Sequence, residues 1–181
     1  MHIERINLQN FRSFGPEGQS IAVDPDLTTL VGANGAGKTV LMQALQRMFG
    51  ISNEQRTIRR QDFHIPSLDE EIPCKRTLML EAIVAFPELD DEDGDHSVIP
   101  DFFHHMSVTD EGGKLKCRLR LDAAWEDDGS IDGYITSQFR AVTTWGEPEV
   151  ADFQNVRPAD RSRIQLIYVP ATRCAVSQVS A

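Results

Sequence analysis

With 181 residues, 40% of them hydrophobic and 25% charged, the chain is long enough for one domain with a sizeable core. Its 18 Lys and Arg against 28 Asp and Glu leave a net charge of −10, which excludes a generally basic nucleic-acid coat and confines any such contact to a local patch. Cys74, Cys117 and Cys174 form no C-x-x-C pair, no apolar run reaches the ~20 residues of a membrane span, and the opening MHIERINLQ lacks a signal peptide's apolar core. The expectation is a soluble cytoplasmic protein with reduced thiols and no membrane partner.

In chain order, IERINLQNFRSF alternates at Ile6, Leu8 and later Phe11 and predicts a first strand, and QSIAVDP a second that turns at Pro25 and Asp26. LTTLV, Leu27 to Val31, is a short β-branched apolar run that predicts a third, buried strand. It leads into GANGAGKT, where Gly32, Gly37, Lys38 and Thr39 match G-x-x-x-x-G-K-[ST]. Beyond it Val40, Leu41, Ala44, Leu45, Met48 and Phe49 recur on one face of a helix that stops at Gly50.

Strand, glycine loop, lysine and helix form the context of a phosphate loop. Glycine near a helix costs about 1 kcal/mol against alanine, so four of them between Gly32 and Gly50 need a local return, and a bound phosphate supplies it. Backbone N–H groups from Gly32, Ala33, Asn34, Gly35, Ala36, Gly37, Lys38, Thr39 and Val40 are the expected cradle, aided by the positive helix end. Lys38 is the expected cation on the β- and γ-phosphates of ATP, and the Thr39 hydroxyl the expected Mg²⁺ ligand.

ISNEQRTIRRQDFHIP, residues 51 to 66, reads as a surface loop or short helix carrying Arg56, Arg59 and Arg60. RTLMLEAIVAF places Leu78, Leu80, Ala82, Val84 and Phe86 on one face of a strand and Met79, Ile83 and Ala85 on the other, both covered. ELDDEDGD, Glu88 to Asp95, predicts a solvated loop, and its spacing fails the calcium-loop pattern because Leu89 and Pro100 stand at the terminal ligand positions. His64, His96, His104 and His105 lack zinc-ligand companions at useful spacing. KLKCRLRLDAAW turns Leu115, Cys117, Leu119, Leu121, Ala123 and Trp125 inward and Lys116, Arg118 and Arg120 outward, the latter a solvated row or a phosphate-backbone contact. The turn EDDGS and the run IDGYITSQFRAV predict its antiparallel partner. RIQLIYVPATR predicts a buried strand over Ile164 to Val169 ending in a proline turn and Arg173.

NFRSF on the first strand, GANGAGKT and the late YVPATR together resemble the N-terminal lobe of an ABC-type ATPase of the SMC/RecF/OLD group, with OLD-family ATP-dependent endonucleases as the closest pattern. The resemblance implies a P-loop NTPase of α/β class with a mixed parallel and antiparallel sheet, residues 1 to 181 forming the first lobe of an ATPase head. It also implies ATP and Mg²⁺ as cofactors, self-association of heads around ATP, and action on DNA through the parent protein, with a Toprim nuclease and antiphage defence in many members. By position, Asn34 would lie near the γ-phosphate and the facing head, and Arg12 would approach the nucleotide or remain a surface arginine. Arg173 would lie near the site, touch DNA or make an ion pair, and Gln165 and Gln178 are the candidates for the glutamine loop. No LSGG-like run or apolar run ending in Asp-Glu is found, and Asp90 to Asp93 lacks the preceding buried strand, so the chain is expected to bind nucleotide without appreciable turnover alone. A RecF- or SMC-like repair ATPase without nuclease, a nucleotide sensor that dimerises on ATP, and a small-molecule kinase stand as alternatives; the absence of N-K-x-D disfavours a GTPase.

Overall fold

The computed structural model describes residues 1–66, 73–89, 103 and 105–169. The readings for Asp90 to Asp95, His96, His104, Arg173, Cys174 and Gln178 lie outside the described residues.

Seven strands form one sheet: β1 (His2–Gln9), β2 (Gln19–Ala22), β3 (Lys75–Ala85), β4 (Ser107–Thr109), β5 (Leu115–Glu126), β6 (Tyr134–Val142) and β7 (Phe153–Asn155). Their order is β2-β1-β3-β5-β6-β7, with β4 also beside β5. Alternation in β1, β3 and β5 puts Ile6, Leu8, Leu80, Ala82, Val84, Cys117, Leu119 and Leu121 on one face. The helix α1 (Lys38–Phe49) belongs to the same core, contributing buried Leu41, Ala44, Leu45, Met48 and Phe49. A one-turn helix α2 (Asn53–Arg56), closed at its start by the reciprocal Ser52 and Gln55 capping box, and a 3₁₀ turn at Arg60–Asp62 follow. A further turn, α3 (Pro158–Arg161), lies near the C-terminal end.

Three expectations are corrected. Leu27 to Val31 is not a strand, and Leu27 and Val31 are 78% and 89% exposed. The run is apolar enough for a sheet interior, but no described strand pairs with it, and a strand exists only by virtue of its ladder. Ile164 to Val169 likewise makes only the parallel bridge Gly50–Leu166, and Ile167 and Val169 are exposed. That bridge is the parallel pairing described; every ladder between the named strands is antiparallel.

The third correction concerns the outward row of β5. Lys116 and Arg118 do leave the apolar face, yet both are buried. Lys116 pairs with Glu4. Arg118 reaches Glu81 at 3.1 Å and donates to the carbonyls of Thr144, Trp145 and Gly146. Asp122 takes Arg120 on one oxygen and Arg140 on the other, each at 2.8 Å. Acids of the sheet, Glu4 on β1, Glu81 on β3 and Asp122 on β5 itself, take the row, so it is not a free phosphate contact.

Among the described residues, no helix is long and apolar enough to cross a membrane.

Candidate nucleotide site

The residues between Val31 and Ala36 are exposed, and the loop they form enters α1 through Gly37. Gly35 and Gly37 sit at φ 87° and 88°, a left-handed backbone that side chains with a Cβ adopt at a cost of roughly 1–2 kcal/mol. Gly37 is doubly constrained, because a Cβ there would stand 2.9 Å from Cζ of Phe14. The loop therefore rests on the aromatic ring of the turn that follows β1. Inside the loop the Ala36 N–H donates to the Ala33 carbonyl, and α1 begins with Leu41 N–H donating to Gly37.

The Lys38 ammonium folds back and donates to the carbonyls of Gly32 and Ala33 at 2.6 and 2.7 Å. Its charge is thus held across the loop, beside the first-turn N–H groups of a twelve-residue helix with no acid in its first turn. Thr39 is exposed on that same turn and Val40 is half-buried against the core. Two left-handed glycines, a cation over the loop and an exposed hydroxyl at a helix start fit a phosphate group with its metal.

Arg12 is the second sequence candidate, and it is committed to a partner. Its backbone is left-handed at φ 52°, and its guanidinium donates to Asp62 Oδ1 from Nε at 2.9 Å and from Nη2 at 2.6 Å. Asp62 is fully buried and also accepts from Arg47 Nε of α1 at 2.7 Å and from the Arg59 backbone N–H at 2.9 Å. The backbones are clamped too: Arg12 N–H donates to the Asp62 carbonyl and His64 N–H to the Asn10 carbonyl. The turn carrying Arg12 and Phe14 is thereby tied both to the 59–64 segment and to the helix behind the loop. Asp62, Arg47 and Phe14 were missed by sequence reasoning, since nothing local pairs Asp62 with an arginine fifty positions earlier. Gln165 is exposed and its side-chain amide donates back to the Ser162 carbonyl, which separates it from the loop's own hydrogen bonds.

A glycine loop leading into the start of a helix, beside a predominantly antiparallel sheet, defines an α/β P-loop NTPase. The chain belongs to the AAA ATPase domain family, whose model matches residues 1–111. No curated protein matches the chain.

Solved structures of SMC heads are similar in outline. One, from work on ATP-driven dimerization and DNA stimulated activation of SMC ATPases, is 17% identical with a TM-score of 0.49, covering 91% of this chain and 77% of that one. The SmcHead bound to the C-winged helix domain of ScpA is 15% identical with a TM-score of 0.47, over 91% and 40%. The Smc head domain with an extended coiled coil bound to the C-terminal domain of ScpA, from Pyrococcus furiosus, is 17% identical with a TM-score of 0.48, over 90% and 32%. The chain thus spans well under half of the last two proteins.

Proposed function

We propose that residues 1 to 181 are the ATP-binding lobe of an ATPase that controls nucleic-acid processing, with an OLD-type ATP-dependent DNA endonuclease acting in the cytoplasm, in antiphage defence, as the parent. The observation that carries the nucleotide reading is the Lys38 ammonium held across a loop whose Gly35 and Gly37 are both left-handed. In this reading the N–H groups of residues 32 to 40 hold the phosphates. Lys38 exchanges its two carbonyl acceptors for β/γ oxygens, and the Thr39 hydroxyl takes Mg²⁺. Bound ATP·Mg²⁺ supplies the transferable γ-phosphoryl group.

Asn34 stands exposed at the loop tip, where a second head would meet it. Arg12 orients the loop through the turn it shares with Phe14. It reaches the nucleotide only if the Asp62 pair opens. The endonuclease assignment rests on the resemblance carried by NFRSF, GANGAGKT and YVPATR. The test is a titration of ATP·Mg²⁺ against the wild type and Lys38→Ala. Losing a charge-assisted contact worth about 1.5–3 kcal/mol should weaken binding by roughly 10- to 150-fold. Equal affinities would remove the nucleotide assignment.

A further inference from the structure

Five arginines gather where the segment after α1 crosses the end of the apolar sheet face. One cavity of about 760 Å³ is lined by Arg59, Arg60 and Arg76 with Ile58, Ile65 and Ile135. A second, of about 660 Å³, carries Arg56 and Arg161 and shares Ile58 and Ile135 with the first, so the two form one groove. In a chain of net charge −10 this is a local reversal of sign.

The arginines are packed closely enough to oppose one another. Arg76 and Arg60 both lie over the Trp125 ring, their guanidinium carbons 3.9 and 5.3 Å from its centroid. Arg76 is 7% exposed and its buried Nε has no hydrogen-bond partner. Burial, then the charge of Arg60, press its pKa down. Arg161 lies over Phe139 at 4.2 Å and donates to the Arg47 and Met48 carbonyls at the end of α1; burial, then Arg56, press its pKa down as well. Among the described residues the facing acids are few: Asp132 lines the first cavity, Asp127 acts on Arg76, and the exposed Glu54 pairs with Arg59 at 3.2 Å. The strand row that was the other basic candidate is engaged in ion pairs within the sheet.

We propose that this groove seats the phosphodiester backbone of a nucleic acid, with Arg56, Arg59 and Arg60 touching phosphates and Arg76 supplying charge from beneath. The proposal rests on the reading that the protein acts on nucleic acid and gives that action a location. A phosphate would relieve the mutual repulsion of the guanidiniums and meet donors of Arg60, already placed over Trp125, and of Arg56, already held by the Asn53 side chain, so less side-chain entropy remains to be lost on binding.

The test measures anisotropy of labelled duplex and single-stranded DNA with the protein across a salt series. Controls are its ATP affinity and its urea midpoint. Arg56→Ala with Arg60→Ala should weaken DNA binding by about tenfold or more. It should also reduce the magnitude of the salt slope by about 1.8 for duplex or about 1.4 for single strands, two contacts' worth. ATP affinity should be unchanged. Arg5→Ala, exposed on the opposite sheet face, should bind as the wild type does. Asp132→Asn should bind more tightly, an effect that damaged folding would not produce. DNA binding that is unaltered in the double variant overturns the groove and leaves the nucleic-acid reading standing. No binding by the wild type overturns the groove and leaves nucleic-acid contact to other parts of the parent, and binding of polyglutamate in place of DNA assigns the groove to an acidic peptide and overturns the proposal.

Discussion

Arg12 and Arg47 share one carboxylate, that of Asp62, which takes Arg12 on Oδ1 at 2.6 Å and Arg47 on Oδ2 at 2.7 Å with no solvent exposure of its own. The bridge fastens the turn after β1 to the far end of α1, which β2 and the glycine loop separate in sequence. It sets where Phe14 stands, and Phe14 in turn limits where Gly37 lies.

Removing Asp62 should therefore be expensive. Asp62→Ala leaves two guanidiniums facing each other in the core, and the loss of one partner from a buried ion pair costs roughly 3–5 kcal/mol. Asp62→Asn, which keeps an acceptor for the Arg59 N–H, should cost less. Urea midpoints for both variants measure this, and a loss below about 1 kcal/mol for Asp62→Ala would show that the bridge contributes little.

Gly35 and Gly37 share a backbone conformation but not a neighbour. Alanine at either position meets the left-handed penalty of roughly 1–2 kcal/mol. Only at Gly37 must a Cβ displace the Phe14 ring, since nothing lies within 4 Å of the corresponding point at Gly35. Gly37→Ala should thus lose about 1–3 kcal/mol more than Gly35→Ala in thermal or urea unfolding. Adding Phe14→Leu to Gly37→Ala should recover part of the difference. Equal losses for the two glycines would place the constraint in the backbone alone.

These relationships separate what the sequence reveals from what it hides. The phosphate loop and α1 were legible because both are local: a spacing of eight residues, then a 3.6-residue period that buries Leu41, Ala44, Leu45, Met48 and Phe49 as expected. The alternation of β1, β3 and β5 was legible for the same reason. Leu27 to Val31 and Ile164 to Val169 read as strands on composition, but a strand requires a neighbour, and composition does not say whether one is present. The Lys116, Arg118 and Arg120 row showed which way the side chains point. It did not show that Glu81 on β3 and Glu4 on β1 lie within reach across the sheet, because register is a property of the pairing.

The Arg118 and Glu81 pair gives a prediction with an order in it. Glu81→Gln leaves Arg118 with three backbone carbonyls, those of Thr144, Trp145 and Gly146, at 2.6 to 2.9 Å. Arg118→Met leaves the Glu81 carboxylate, 4% exposed, with the Asn7 amide at 3.1 Å as its remaining described hydrogen-bond donor. The arginine substitution should therefore cost roughly 3–5 kcal/mol and the glutamine substitution about 1–2, read as shifts in urea midpoint. The reverse order would mean that the carbonyl cluster does not carry the arginine's charge.

Cys117 links the sheet core to solution pH. It lies near the start of β5, paired between Val84 and Ser107, with no solvent exposure, and burial pushes its thiol from 9.0 up to about 12. Below about pH 9 both the folded and unfolded chains keep the proton and the thiol contributes no pH dependence. Above it the unfolded chain releases the proton while the folded core retains it, so stability falls by about 1.4 kcal/mol per pH unit until the folded thiol itself titrates near 12. Urea unfolding of the wild type and Cys117→Ala between pH 7 and 11 isolates this contribution from other alkaline titrations. The two curves should run parallel up to pH 9 and converge or cross above it, as the wild type alone acquires the extra slope. In the same pH range iodoacetamide should modify the exposed Cys74 in the native protein and reach Cys117 only after denaturation. Parallel pH dependence throughout, together with native-state alkylation of Cys117, would show that the sheet opens around β5 far more readily than its packing implies.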